Sequence, residues 1–150
     1  MCAMRVFAVK AGDYYLGVLT KQGRQQMRRA VSFLNTLQPP IYGLKTLLVH
    51  TSEPGALKSV SIIKTNLEIQ RVKSMGKLYK YYFEPENIYS LFGASGAVDN
   101  VIIVSDDPEM EKFLAQYVSD NDDSEKYETK NGDIFLMAAG PKPQKIFSPS

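Results

Sequence analysis

The sequence contains one cysteine, one histidine and no apolar run approaching the ~18 residues of a membrane span. With Cys2 alone, a disulfide within the chain and a thiolate metal cluster are both excluded. The opening Met-Cys-Ala-Met-Arg has neither a basic region nor a long apolar core, so the expectation is no secretory leader and a cytoplasmic location. What is present is a globular balance: 150 residues, 44% hydrophobic and 23% charged. A domain of this length buries roughly two-thirds of its unfolded surface without staples, and no metal or cofactor is expected.

The net charge of +2 conceals a polarity along the chain. Residues 1–80 carry 13 basic and 3 acidic side chains, whereas residues 81–150 carry 5 and 13. Such asymmetry fits an acidic partner for the first half, a basic partner for the second, or head-to-tail self-association. It largely cancels if the halves interleave in a sheet with crossing helices.

Arg5–Val9 reads as a buried strand that runs into Lys10-Ala11-Gly12-Asp13, and the loop from Lys10 to Leu19 contains Gly12 and Gly17. In an α/β domain the chemistry sits just past the carboxyl end of such a strand. Ala11 brings no functional group to that place. Thr20 has the chemistry of an N-cap, and Met27, Ala30, Val31, Leu34 and Leu37 recur at helical spacing until Pro39-Pro40 stops the helix. Thr46–His50 is a second strand, and a helix from Gly55 or Ala56 to about Asn66 turns Leu57, Val60, Ile63 and Leu67 inward.

Leu67–Val72 and Leu78–Phe83 read as short strands or a hairpin. Pro85–Phe92 reads as a short helix, and Gly93-Ala-Ser-Gly96 as a connecting loop that lacks the preceding strand and Lys-Ser/Thr ending of a P-loop. Asn100–Val104 is the third clear strand. Asp107, before Pro108, is placed to cap a helix that carries Met110, Phe113, Leu114 and Tyr117. An acidic loop over 120–130 and a last strand over Asp133–Ala138 follow. The recurring strand-turn-helix order predicts a three-layer α/β/α sandwich with a mainly parallel sheet, one domain over 1–139 and a Pro-rich tail over 140–150.

Two basic stretches are candidates for nucleic acid. Lys21, Arg24, Arg28 and Arg29 line the polar side of the first helix; Arg71, Lys73, Lys77 and Lys80 interleave with Tyr79, Tyr81 and Tyr82. Cations among aromatics bind single strands by phosphate attraction and base stacking. The same residues suit a solvated helix face and an edge strand whose lysines deter aggregation.

The strand ends carry ordered motifs. Val9-Lys10-Ala11-Gly12 is followed by Leu19-Thr20-Lys21-Gln22-Gly23-Arg24-Gln25-Gln26; next comes His50-Thr51-Ser52-Glu53-Pro54-Gly55-Ala56-Leu57-Lys58-Ser59; then Val101 to Ser105 with Asp106-Asp107-Pro108-Glu109-Met110. In this order and spacing, over residues 5 to 138, they resemble the histidine phosphatase superfamily, of phosphoglycerate mutase-like fold, and most closely its small phosphohistidine-phosphatase branch. The resemblance puts the family's nucleophilic histidine on Ala11, its two phosphate-holding arginines on Lys10 and Gly55, and its second histidine on Asp106.

Phosphoryl transfer through a phosphoenzyme requires an unshared electron pair in line with phosphorus and cations on the equatorial oxygens. Alanine has no such pair, and glycine cannot replace a bidentate guanidinium. The expectation is a pseudoenzyme that binds a protein partner, with Lys10, Asp13, His50, Thr51 and Asp106 around the former pocket and Lys10 paired with Asp106. The alternatives left open are altered chemistry in the same cleft, nucleic-acid binding through Arg24, Arg28, Arg29, Arg71, Lys73, Lys77 and Lys80, and a homo-oligomer.

Overall fold

A computed structural model describes residues 4–42, 45–84, 86–88, 98–117, 129–137 and 142–149. Cys2, the Gly93–Gly96 loop and most of the acidic loop lie outside them, as do Pro85 and residues 89–92 of the short helix expected there. The order is β1 (Arg5–Lys10), β2 (Tyr14–Tyr15), β3 (Val18–Leu19), α1 (Lys21–Leu34), β4 (Thr46–His50), α2 (Pro54–Leu67) and β5 (Arg71–Ser74). A 3-10 turn (Lys80–Phe83), β6 (Asn100–Ser105), α3 (Glu109–Ala115), β7 (Ile134–Leu136) and β8 (Gln144–Phe147) complete it.

The main sheet has the order β5-β4-β6-β1-β7-β8. β5, β4, β6 and β1 run parallel, and β7 pairs antiparallel with β1. The central strands are continuous apolar runs because both faces are covered. Successive side chains alternate between two cores. Phe7, Val9, Leu48, Ile102 and Val104 meet Met27, Ala30, Val31 and Leu34 of α1 and Ala56, Val60, Ile63 and Leu67 of α2. Val6, Ala8, Leu47, Val49, Val101 and Ile103 meet Leu78, Phe83, Ile88 and Met110, Phe113 and Leu114 of α3. This is the expected three-layer, mainly parallel α/β architecture. No helix among the described residues is long and apolar enough to cross a membrane.

Several local expectations change. Leu57 is 45% exposed, since the buried stripe of α2 is Ala56, Ser59, Val60, Ile63 and Leu67 and position 57 lies a further 100° or so round the helix. Residues 67–83 form no hairpin: Leu67 ends α2, β5 joins β4 in parallel, and Lys80–Phe83 is a 3-10 turn. Gln144–Phe147 form an edge strand on β7 instead of an unattached tail. Lys145 pairs with the buried Asp133 at 3.0 Å, and Phe147 stacks on Phe33 of α1 at 4.8 Å. Within the loop from Lys10 to Leu19, β2 and β3 close a hairpin through Leu16 and Gly17, both at positive φ.

Gly12 and Gly23 position the site. A Cβ on Gly12 would lie 2.6 Å from the Gly23 carbonyl oxygen, and one on Gly23 would collide with the Asp13 carbonyl oxygen. Both obstacles are backbone, which cannot swing aside. Gly23→Ala should therefore destabilise the protein by about 3 kcal/mol or more in chemical denaturation. Gly76→Ala, with open space around it, should stay within about 0.5 kcal/mol of the parent.

Candidate functional site

β1 and β6 end level, Lys10 opposite Ser105, while His50 of β4 is level with Val104. The chain leaving β1 is tied down at each residue. Ala11 N–H donates to the Ser105 carbonyl at 2.8 Å, and Gly12 N–H to Ser59 Oγ of α2 at 2.9 Å. Asp13 N–H donates to Gln26 Oε1 of α1 at 2.9 Å. Ala11 is fully buried.

Asp13, a pocket candidate in the sequence, belongs to the start of α1. Its Oδ2 accepts from Thr20 Oγ1 at 2.8 Å, and Thr20 Oγ1 in turn caps the helix by accepting from Gly23 N–H at 3.0 Å. The N-cap expected at Thr20 is thus present, with Asp13 bracing it.

Lys10 pairs with Asp107, at 2.6 Å, and not with Asp106. Its ammonium also donates to the carbonyl and hydroxyl of Thr129, both at 3.3 Å. An ammonium has three donors, so this arrangement satisfies all of them. Asp107 is accordingly no helix cap: the cap position of α3 is Pro108, without a side-chain bond, and Glu109 and Glu111 supply the favourable negative charge of the first turn.

Asp106 turns instead toward α2. Its backbone N–H is held by Glu53 Oε1 at 3.2 Å, and Glu53 Oε1 also accepts from Ser105 Oγ at 3.1 Å. Gly55 makes room for the Asp106 carboxylate: a Cβ there would lie 2.9 Å from Asp106 Oδ2 and 3.5 Å from the Ala11 Cβ. Burial pushes the Asp106 carboxyl above its ordinary value, and the carboxylates of Asp107 and Glu53 push the same way. The Asp107 N–H and the Lys10 ammonium pull against them.

His50 and Thr51 are both buried. His50 Nδ1 donates to the Thr51 carbonyl at 3.0 Å, and Thr51 Oγ1 donates to Ser105 Oγ at 2.9 Å. The structure brings Lys10, Ala11, Gly55, Thr51 and Asp106 to one end of the sheet, while His50 and Asp13 are committed to neighbouring backbone and to α1. Sequence reasoning missed Glu53, Ser59 and Thr129. Only Ser59 left a signal, a hydroxyl on the buried stripe of α2. Among the described residues no three His, Cys, Asp or Glu groups are grouped to hold a metal ion.

The seven basic candidates do not form one surface. Arg24 donates to the Leu19 carbonyl at 2.9 Å and Arg29 to the Pro149 carbonyl at 2.9 Å, so both hold backbone of other segments against α1. Arg28 is exposed on that same helix. Arg71 and Lys73 stand on edge strand β5, and Lys77 and Lys80 follow it toward the α3 side.

No family model matches the sequence, and no curated protein does either. Solved structures do match. SixA of Agrobacterium tumefaciens, assigned as a phosphohistidine phosphatase, aligns over 98% of this chain and 99% of its own, with TM-score 0.64 and 12% identity. The protein histidine phosphatase SixA complexed with tungstate aligns over 96% and 95%, with TM-score 0.63 and 16% identity. A mycobacterial glucosyl-3-phosphoglycerate phosphatase complexed with VO3 aligns over 95% and 96%, with TM-score 0.60 and 12% identity. The chain therefore shares the fold of these three proteins, which are described as phosphatases, and that fold is phosphoglycerate mutase-like.

The raised Asp106 value fixes a pH dependence. The folded protein holds this proton more tightly than the unfolded chain, so the group's contribution to stability is present below its ordinary value of 3.8 and is lost as pH rises through the folded value. Asp106→Asn, which keeps the oxygen that accepts from Asp107 N–H at 2.9 Å, should be more stable than the parent at neutral pH. That advantage should shrink as pH falls toward 3.8. Urea midpoints across a pH series check this; a parent more stable than the variant at neutral pH contradicts it.

Proposed function

We propose that this chain keeps the phosphatase scaffold without the phosphatase reaction, and works as a pseudophosphatase that binds a protein partner. The observation that carries the reading is the packing of the Asp106 carboxylate against Gly55, 2.9 Å from where a Cβ would stand. On the resemblance read from the strand ends, these two positions hold a phosphate-binding arginine and a histidine in the family, whose nucleophilic histidine falls where this chain has Ala11. An arginine at 55 would require the Asp106 carboxylate to swing aside from its present place. The two departures are complementary, as they are when a small internal contact replaces a ligand site.

Electrostatics support the same reading. A phosphate at the strand ends would meet the carboxylates of Glu53, Asp106 and Asp107, and the cation there among the described residues, Lys10, already serves Asp107 and Thr129. Two unit charges at 4 Å interact by ~4 kcal/mol at an effective dielectric near 20. A dianion facing a carboxylate therefore loses more than one saturated ammonium returns. Without the reaction, recognition falls to the exterior, where a charged protein partner is steered by local concentrations of one sign.

The purified protein should release no phosphate from phosphohistidine or p-nitrophenyl phosphate above a buffer blank. It should also give no heat of binding with tungstate or vanadate, the oxyanions carried by two of the structural neighbours. Turnover that persists through purification and disappears in Lys10→Ala or Asp106→Ala overturns the proposal.

A further inference from the structure

The cations and tyrosines after β4 are not accounted for by edge-strand protection. Only Arg71–Ser74 is strand; Lys77, Tyr79 and the Lys80–Phe83 turn lie beyond it. Together with the end of β5 they enclose a groove of about 320 Å³ lined by Lys73, Met75, Lys77, Tyr79 and Tyr82. That is within the range of small-ligand clefts, roughly 300–1,000 Å³. It opens at the carboxyl end of the sheet, where Met75 N–H donates to the His50 carbonyl at 2.8 Å.

Three tyrosines form one cluster beside it. Ring centroids are 5.2 Å apart for Tyr79 and Tyr82, 4.5 Å for Tyr81 and Tyr82, and 6.2 Å for Tyr79 and Tyr81. Tyr79 is 40% exposed and Tyr81 54%. The platform is held in place from below. Leu78 is buried, its N–H donates to Glu109 Oε1 at 3.1 Å, and Gln116 bridges the Leu78 carbonyl and the Lys80 N–H. Lys80 lies over the Tyr117 ring at 5.0 Å and so belongs to this anchorage. Lys73 and Lys77 are exposed, and no acidic residue occurs in the sequence between Glu68 and Glu84.

We infer that this groove binds single-stranded nucleic acid, with a base stacked on Tyr79 and adjacent phosphates on Lys73 and Lys77. The ligand class follows from two requirements that must be met together. The lysines ask for spaced negative charge, and the exposed, clustered tyrosines ask for planar π surfaces; single-stranded RNA or DNA supplies both. An acidic protein or a sulfated polysaccharide would use the lysines but offer the rings no regular series of planar bases to stack. The inference is independent of the pseudophosphatase reading, since it uses none of the residues at Ala11, Gly55 or Asp106.

Fluorescence anisotropy of a labelled short oligouridylate, with the DNA counterpart and heparin in parallel, tests it. Binding at low salt should fall about tenfold in Tyr79→Ala and be retained in Tyr79→Phe, which keeps the stacking face. In the Lys73→Gln, Lys77→Gln double variant the slope of log affinity against log salt should drop by about 1.4, or ~0.7 for each phosphate that no longer meets a lysine. All four substitutions are at exposed positions, and matched thermal unfolding separates a binding defect from a folding defect. Absence of binding at low salt, binding indifferent to Tyr79→Ala, or heparin bound as well as RNA and equally indifferent to Tyr79 would each overturn the inference.

Discussion

The backbone contact between the loop leaving β1 and the first turn of α1 is the constraint on which the rest of the site depends. Gly12 and Gly23 have no side chain because each faces the other segment's backbone, and this close approach lets Asp13 brace Thr20 and Gln26 hold Asp13. The end of β1 is thereby carried against α2, where Ser59 receives the Gly12 N–H. Ala11 is buried as a consequence. A residue at that position reaches the space between β1, β6 and α2 whether or not it has chemistry to offer there.

Two polar arrangements line this space, joined where Asp107 N–H donates to Asp106 Oδ1 at 2.9 Å. One is the Lys10, Asp107 and Thr129 group; the other is the line from Thr51 through Ser105 and Glu53 to Asp106 N–H. Each satisfies most of its donors internally, as buried polar groups must. Asp106 is the member with the poorest compensation: burial and two neighbouring carboxylates oppose its charge, and a backbone N–H and the Lys10 ammonium only partly offset them.

The charge polarity of the sequence is largely undone by the topology. β1, from the basic half, lies between β6 and β7 from the acidic half, and β4 adjoins β6. Parallel connections force this interleaving because each crossover passes over the sheet before the chain returns. What survives is local: the stretch from Arg71 to Lys80, where strand, loop and turn follow one another along one edge of the sheet, with no strand beyond β5 among the described residues.

The sequence by itself determined the longer elements and the layers. A five- or six-residue apolar run buried on both faces and an amphipathic repeat of three and four are local patterns, and β1, β4, β6, α1 and the inward residues of α3 follow from them. The motifs at the strand ends were legible as residue types in order, although Gly12 meets Gly23 and Gly55 meets Asp106 only once the chain is folded. Only the tertiary structure decided that Lys10 meets Asp107 rather than Asp106, across 97 residues of chain. It likewise decided that Gln144–Phe147 close the sheet and that Leu57 stays outside. These outcomes depend on the direction in which a side chain leaves its backbone and on what stands opposite, and neither is encoded in the spacing of residues along one element.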